Sequence, residues 1–163
     1  MNNINFRKKK ITCINNTVFT DNQTPLPVTD DEFIAYHNPE THFYMQLGNG
    51  APATTVRFKS HSGDIYITNY RVIYKPKIST NLFTSFFITL DKILTVSRFD
   101  SFDVIIEDEI SGRIFLQFDN SHAEMFFTVL EKMLLDHSSN VRYITSNTSD
   151  EHLPFYCEKS YYQ

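Results

Sequence analysis

The stretch that decides the fold is Gly63-Asp64-Ile65-Tyr66-Ile67-Thr68-Asn69-Tyr70-Arg71-Val72-Ile73-Tyr74. Two runs rich in β-branched and aromatic residues flank Asn69, which predicts two strands joined by a tight turn. Alternation gives each strand one apolar face, made of Ile65 and Ile67 in the first strand and Tyr70, Val72 and Tyr74 in the second. This strand pair is the centre from which the other elements are assigned.

Further short β-rich runs lie on both sides of this pair, and polar turn residues separate them. The runs occupy residues 43–47, 54–59, 85–90, 92–99, 102–107 and 113–118. Parallel strands need a crossover of about a dozen residues, and these turns are much shorter. The sequence therefore predicts an antiparallel sheet.

One amphipathic helix follows the last strand, capped by Asp119, Asn120 or Ser121 and ending at His137. Its apolar residues recur at steps of three and four, which predicts one wide apolar stripe. The stripe consists of Met125, Phe126, Val129, Leu130, Met133 and Leu134. We interpret it as core, and the alternative is a helix that binds a partner or a membrane surface.

The two ends of the chain differ in composition from its middle. Residues 1–28 are polar and contain Pro25 and Pro27, which predicts a flexible N-terminal arm. Residues 29–137 form the predicted domain, and residues 138–163 a C-terminal tail. Thr29 and Glu32 have the spacing of a capping box, which predicts a short helix that ends before Pro39.

Composition narrows the class of protein. The 163 residues suffice for one core, and the net charge of −4 argues against a specific nucleic-acid binder. Only two cysteines occur, which favours a reducing compartment and predicts a cytoplasmic location. The cluster of Arg7, Lys8, Lys9 and Lys10 is either a solvated arm, a contact for anionic lipid or a nuclear import signal, so a nuclear location is also open.

Catalytic and metal-binding patterns are missing from the sequence. The six histidines show no metal-ligand spacing, and four glycines form no phosphate-binding loop. We predict no enzyme activity, no cofactor and no metal. The acidic residues Asp103, Glu107, Asp108 and Glu109 lack the spacing of a calcium loop, which favours a solvated hairpin tip.

Arg71 stands alone among apolar neighbours in its strand. Such an arginine either pairs with a carboxylate or faces a polar ligand, and we interpret it as structurally paired.

The stretch from Gly63 to Tyr74 resembles the strand-turn-strand signature of GRAM domains, in which a glycine opens a strand and an Asn-Tyr-Arg corner joins it to the next. The resemblance implies a mainly β fold with one C-terminal α-helix. The expected architecture is a pleckstrin-homology-like, seven-stranded antiparallel barrel or sandwich that the helix caps.

Within GRAM proteins, the chain is similar to the WW-domain-binding protein 2 family over residues 14–135. Asn15-Asn16-Thr17 and Thr84-Ser85-Phe86-Phe87-Ile88 carry this likeness. It implies a non-enzymatic protein-interaction adaptor, such as a transcriptional coregulator or a ubiquitin-ligase adaptor. The long Pro- and Tyr-rich tail of that family is absent here.

The tail retains one fragment, Leu153-Pro154-Phe155-Tyr156, that resembles the Pro-Pro-x-Tyr ligand of WW domains with Leu in the first position. In such a ligand Pro154 presets an extended conformation and Tyr156 fills a pocket. The resemblance implies a WW-domain partner for Leu153, Pro154 and Tyr156. The alternative is a plain aromatic tail.

A different function remains open, namely a phosphoinositide or anionic-membrane binding module. Four basic residues flank turns near the Gly63 hairpin, and they are Arg57, Lys59, Lys75 and Lys77. Each basic residue close to an anionic membrane contributes about 1 kcal/mol of binding, so such a patch predicts weak attachment to anionic phospholipid.

Overall fold

The computed structural model describes residues 11–97, 100–107, 109–119 and 122–148. Within these ranges the chain forms nine strands, one 3-10 turn at Leu90–Lys92 and one helix. The strands are β1 Ile34–Asn38, β2 Thr41–Gly48, β3 Thr55–Ser60, β4 Gly63–Thr68, β5 Arg71–Pro76, β6 Phe86–Thr89, β7 Ile93–Ser97, β8 Ser101–Ile106 and β9 Ile110–Phe118. The helix, α1, spans His122–Thr148.

The strands form two antiparallel sheets. The four-stranded sheet has the order β1-β4-β5-β6, and the five-stranded sheet has the order β3-β2-β9-β8-β7. The predicted fold class is confirmed, because the chain is a mainly β sandwich with one C-terminal helix. The described residues contain more strands than the predicted seven, and β1 lies where the sequence predicted a helix.

The helix predicted after Thr29 is wrong. Only one turn forms there, in which the Glu32 amide donates to Thr29 O at 3.2 Å. The chain then extends into β1, where Tyr36 pairs with Ile67 of β4. The Glu32 carboxylate accepts hydrogen bonds from Arg71, Thr68 and the Val28 amide instead of completing the capping box, so tertiary contacts override the local helix signal.

The core lies between the inner faces of the two sheets. The inner faces predicted for the central strands are confirmed, since Ile65, Ile67, Val72 and Tyr74 are all buried. Tyr70 differs because it lies in the turn and is half-buried.

Aromatic rings fill the centre of this core. The Phe43 ring lies 4.4 Å from the Tyr74 ring and 5.5 Å from the Phe83 ring, measured between centroids. Tyr74 Oη donates to Thr41 O at 2.8 Å, so the buried hydroxyl is satisfied.

Gly63 is required by close packing. A Cβ atom at this position would collide with the backbone oxygen of Lys75 and with the hydroxyl of Tyr74. The glycine that opens the central stretch therefore lets β4 and β5 approach each other where a larger residue would overpack the site.

The helix α1 packs its apolar stripe against the sandwich, which confirms the core interpretation. Phe126, Leu130 and Met133 are buried. The buried stripe is rotated by about one residue from the prediction, because Phe127 is buried and Met125 is 60% exposed. The helix also continues to Thr148, beyond the predicted end.

Residues 13–15 run along β6 at the edge of the four-stranded sheet. The Asn15 amide donates to Ser85 O and the Phe87 amide donates to Cys13 O, both at 2.9 Å. Cys13 and Ile14 are buried in the core cluster. This part of the chain differs from the predicted flexible arm, because an unpaired strand edge accepts its backbone and the core accepts its two apolar side chains.

Candidate functional site

The outer face of the four-stranded sheet is covered by residues 17–32, which we call the strap. Several side chains of the sheet contact it. Tyr66 Oη donates to Gln23 O at 3.3 Å, Arg71 Nη2 donates to Leu26 O at 2.9 Å, and Lys75 Nζ lies 5.7 Å from the centroid of the Phe19 ring. Pro25 of the strap is buried. The strap therefore occupies the surface that a ligand of this sheet would need.

A buried ion pair holds the strap to the sheet. Arg71 Nε lies 2.8 Å from Glu32 Oε1, and the two side chains are only 6% and 3% exposed. Thr68 Oγ1 and the Val28 amide also donate to the Glu32 carboxylate, at 2.9 and 2.6 Å. Burial alone would raise the pKa of Glu32, but the hydrogen bonds from Arg71, Val28 and Thr68 outweigh it and lower that pKa. The structural pairing predicted for Arg71 is confirmed.

No described element covers the outer face of the five-stranded sheet. Alternation along β2 buries Phe43 and Met45 and leaves Tyr44 and Gln46 on the other side of the sheet. We call this surface the open face, and it comprises His42, Tyr44, Gln46, Arg57, Lys59, Asp103, Arg113, Phe115 and Gln117.

Strand register aligns the open face into rows. Tyr44 stands opposite Lys59 of β3 on one side and opposite Phe115 of β9 on the other. In the next row, Gln46 of β2 stands opposite Arg57 of β3 on one side and opposite Arg113 of β9 on the other. Cross-strand neighbours have Cβ atoms about 5 Å apart, so each row is a continuous strip of side chains.

The open face carries excess positive charge. Arg113 Nε donates to Asp103 Oδ1 at 2.6 Å, which neutralises that cation and lowers the pKa of Asp103. Arg57 and Lys59 have no ion-pair partner among the residues that the structure describes. Two uncompensated cations therefore stand at one side of the face, with Tyr44 next to Lys59.

Phe115 separates two shallow clefts on the open face. Its side chain is 39% exposed, and its ring lies 5.8 Å from the ring of Tyr44. A cleft of about 270 Å³ is lined by His42, Tyr44, Lys59, His61, Phe115 and Gln117. A second cleft of about 470 Å³ is lined by Gln46, Asn49, Leu94, Asp103, Arg113 and Phe115. An exposed aromatic side chain between two clefts is a suitable anchor for a protein ligand.

The structure separates the four basic residues predicted for lipid binding. Arg57 and Lys59 lie together on the open face, two residues apart on β3. Lys75 lies on the outer face of the other sheet, beneath the strap. Lys77 follows β5, and its amide donates to Ser62 O at 2.9 Å. The four residues therefore do not form one patch on one face.

Two predicted contact segments lie outside the described residues. The WW-like ligand residues Leu153, Pro154 and Tyr156 are one, and the basic cluster at residues 7–10 is the other. Neither prediction is tested by the structure.

The described side chains do not favour metal binding or thiol chemistry. No group of three His, Cys, Asp or Glu side chains within these ranges can hold a metal ion. Asp103 pairs with Arg113, and Glu107 accepts from the Thr12 amide at 3.1 Å, while Asp108 lies outside the described residues. Burial raises the pKa of Cys13 to about 12, which disfavours the nucleophilic thiolate. Among the described residues, no helix is both long enough and apolar enough to cross a membrane.

Most residues of the open face were not predicted as site residues from the sequence; only Arg57 and Lys59 were. Arg113 and Phe115 fall in a predicted strand, and their alternation with buried Ile114 was the available signal. The signal was incomplete because alternation shows that two residues share a face, whereas the register across β2 and β9 shows which residues meet.

The chain is similar to one known domain family and to solved structures. A family model described as GRAM domain matches residues 32–138. The solved Vps36 N-terminal PH domain is 18% identical with a TM-score of 0.52, and the alignment covers 74% of this chain and 91% of that chain. This likeness concerns the fold alone.

A second solved structure, the C-terminal domain of an unknown protein from Leishmania infantum, is 16% identical with a TM-score of 0.36. Its alignment covers 64% of this chain and 85% of that chain. No curated protein matches the sequence.

Proposed function

The chain belongs to the GRAM domain family, and from this we propose that it is a non-enzymatic protein-interaction adaptor whose open face binds an acidic segment of a partner protein. One observation carries the proposal: the exposed Phe115 and the half-buried Tyr44 share a row with the uncompensated cation Lys59, and Arg57 lies in the next row. The other outer face is already covered by the strap. The open face is therefore the large uncovered sheet surface of the described sandwich.

The spacing of the cations suits an extended acidic ligand. Residues two apart on a strand are separated by about 6.6 Å, which is also the spacing of alternate residues in an extended peptide. Alternate Asp or Glu side chains of a ligand can therefore face Arg57 and Lys59 in turn. An apolar or aromatic side chain of the same ligand can occupy the cleft next to Phe115. Aromatic residues and arginine are enriched in protein interfaces, which supports this assignment.

The expected result of reversing charge on the open face is a loss of binding to acidic peptides. We expect Lys59→Glu combined with Phe115→Ser to weaken binding at least about tenfold, since it removes one cation and the aromatic anchor. The assay probes the full chain with an array of twelve-residue peptides that alternate Asp or Glu with one aromatic residue. Isothermal titration of the best peptide measures the affinity.

The matched control for this experiment places the same kinds of substitution on the exposed side of α1. Lys132→Glu with Leu135→Ser changes one cation and one apolar side chain there, and Leu135 is 68% exposed. This control should bind like the parent chain. Equal binding by the open-face variant, or no binding of the parent to any acidic peptide, would contradict the proposal.

We extend the proposal to the tail on the basis of the sequence likeness to the WW-domain-binding protein 2 family. In this part of the proposal Leu153, Pro154 and Tyr156 recruit a WW-domain protein, and the open face holds a second partner. Such a chain would act as a transcriptional coregulator or a ubiquitin-ligase adaptor in the cytoplasm and the nucleus. The support is this likeness together with the motif Leu-Pro-Phe-Tyr.

The tail can be tested independently of the open face. We expect Tyr156→Ala to abolish capture of the full chain by an immobilised WW domain that accepts Leu-Pro-x-Tyr ligands, because the tyrosine fills the ligand pocket. Tyr161→Ala in the same tail is the control and should be captured normally. Capture that Tyr156→Ala leaves unchanged would remove the tail from the adaptor proposal.

A second candidate function, binding to an anionic membrane through phosphoinositide or other acidic lipids, is supported by a different surface. The loop after β5 exposes Ile78 to 83% beside the exposed Lys77. The combination of an apolar side chain with a neighbouring cation is typical of segments that contact lipid headgroups.

A further inference from the structure

The smaller cleft of the open face, of about 270 Å³, collects hydrogen-bond donors around one aromatic side chain. It is lined by the side chains of His42, Tyr44, Lys59, His61, Phe115 and Gln117. These side chains supply one ammonium group, two imidazole rings, one amide and one phenol hydroxyl, and each of these groups can donate a hydrogen bond. We call this cleft the donor cleft.

The donors of this cleft are unpaired within the described part of the chain. Lys59 has no ion-pair partner there, and the side chains of His42, His61 and Gln117 make no hydrogen bond with another described residue. The described residues that line the cleft include no Asp or Glu. The cleft therefore presents several donors to a ligand and no group that repels an anion.

The larger cleft on the other side of Phe115 differs in this respect. Its cation, Arg113, donates to Asp103 Oδ1 at 2.6 Å, and Thr95 Oγ1 donates to Asp103 Oδ2 at 2.8 Å. A cation that is neutralised by a neighbouring carboxylate attracts an anionic ligand only weakly. The excess of donors is thus a property of the donor cleft and is not shared by the larger cleft.

A phosphate monoester matches this set of donors better than a carboxylate does. At neutral pH it carries a charge of about −1.5 to −2 and has three strong acceptor oxygens, whereas a carboxylate carries one charge and has two oxygens. The ammonium group of Lys59 and the imidazole N–H groups of His42 and His61 provide one donor group for each of the three phosphate oxygens. Hydrogen bonds with such charged acceptors are shorter and stronger than neutral ones.

The aromatic border of the cleft selects the type of phosphorylated residue. Phe115 is 39% exposed, and β2 lies between its strand and the strand of Lys59. Two strand spacings, about 9.6 Å, therefore separate the backbones at Phe115 and Lys59. A ligand ring that packs beside Phe115 can extend its far end toward Lys59. Phosphotyrosine has a ring with the phosphate at its far end, whereas phosphoserine and phosphothreonine have no ring.

We propose that the acidic ligand of the open face carries a phosphotyrosine, whose ring packs against Phe115 and whose phosphate accepts hydrogen bonds from Lys59, His42 and His61. The inference rests on the proposed function and names the ligand class of the same site. Arg57 lies two positions from Lys59 on β3, about 6.6 Å away, so it meets an Asp or Glu two positions from the phosphotyrosine.

A matched pair of peptides tests the proposal. Both have twelve residues with a central tyrosine and Glu two positions before and after it, and only one is phosphorylated. In isothermal titration of the full chain, we expect the phosphate to strengthen binding at least about tenfold, because it forms charge-assisted hydrogen bonds. A phosphoserine at the same position should strengthen binding less than about threefold, since it offers no ring to Phe115.

Variants of the donor cleft change the ratio between the affinities of the phosphorylated and unphosphorylated peptides. His42→Ala with His61→Ala should reduce this ratio to less than about threefold, because two phosphate donors are removed. The control, His122→Ala with His137→Ala, removes two histidines of α1 and should retain the ratio of the parent. Because both peptides are measured on each variant, a general loss of affinity does not alter the ratio. Urea unfolding shows that each variant is folded.

Nuclear magnetic resonance of the parent chain tests the same cleft without a substitution in it. Titration with phenyl phosphate should shift the ring signals of His42 and His61 and leave those of His122 and His137 in place. Unshifted His42 and His61 signals would contradict the phosphate contact.

Each other outcome overturns a different part of the account. Equal binding of the two tyrosine peptides would overturn the phosphotyrosine assignment, while the acidic-ligand function would stand. No binding of the parent to either peptide, or to any acidic peptide, would overturn both. An equal gain from phosphoserine would overturn the selection by Phe115. A soluble inositol phosphate that binds the cleft more tightly than the phosphorylated peptide would assign the cleft to a lipid headgroup and overturn the peptide assignment.

Discussion

Arg71→Ala is expected to lower the free energy of unfolding by about 3–5 kcal/mol, because it leaves the buried Glu32 carboxylate without its charged partner. The two side chains are 6% and 3% exposed, and Arg71 Nε lies 2.8 Å from Glu32 Oε1. The substitution also removes the hydrogen bond from Arg71 Nη2 to Leu26 O in the strap. Urea denaturation followed by circular dichroism measures the change.

The ion pair between Arg113 and Asp103 is the matched control. Its N···O distance is 2.6 Å, but the side chains are 56% and 32% exposed. Exposed pairs contribute about 0–1 kcal/mol, so Arg113→Ala should change stability by no more than that. If Arg71→Ala proves no more costly than Arg113→Ala, the buried pair does not stabilise the strap.

The same pair predicts a dependence of stability on pH. Hydrogen bonds lower the pKa of Glu32 in the folded chain below its value in the unfolded chain. The resulting stabilisation is fully present above the unfolded pKa, about 4.3, and is lost as the pH falls through the lower folded value. Glu32→Gln should therefore reduce the loss of stability between about pH 5 and pH 3. If Glu32→Gln loses as much stability on acidification as the parent chain, Glu32 does not contribute to this pH dependence.

Phe126→Ala should cost about 3–5 kcal/mol of stability, since it empties a fully buried aromatic site between α1 and the sandwich. The ring centroid of Phe126 lies 5.6 Å from that of Tyr36, 5.2 Å from that of Phe118 and 5.0 Å from that of Phe127. The side chain is 0% exposed. Circular dichroism at about 222 nm, near the helix minimum, follows unfolding in urea. A lower urea midpoint reports the loss of stability.

Met125→Ala on the same helix turn provides the comparison for Phe126→Ala. Met125 is 60% exposed, so its truncation should change stability by less than about 0.5 kcal/mol. The predicted apolar stripe had included both residues. Equal effects of the two substitutions would show that the buried face of α1 is not the one described.

Local patterns predicted most of the strands correctly. The alternation around Ile65 and Ile67 is a property of neighbouring residues, so it can be recognised without any tertiary information. The β1 strand was not predictable in this way. The capping-box spacing of Thr29 and Glu32 is a local helix signal, whereas the partner that Glu32 uses, Arg71, lies 39 residues away.

The candidate site was harder to predict than the fold. The sequence places Arg57 and Lys59 on one face of a strand, because they are two positions apart. It does not show that Lys75 belongs to the other sheet, since that depends on how the hairpins associate. The meeting of Tyr44 and Phe115 likewise depends on the register between β2 and β9.

The backbone pairing of residues 13–15 with β6 has a consequence for any shortened version of the protein. The family match begins at residue 32, downstream of this pairing. A fragment cut there would leave Ser85 O and the Phe87 amide without their partners and would empty the sites of Cys13 and Ile14. A bare strand edge beside a core void recruits the same edge of a neighbouring molecule. Such a fragment would form oligomers, so the smallest autonomous folding unit begins upstream of residue 32, where the family match starts.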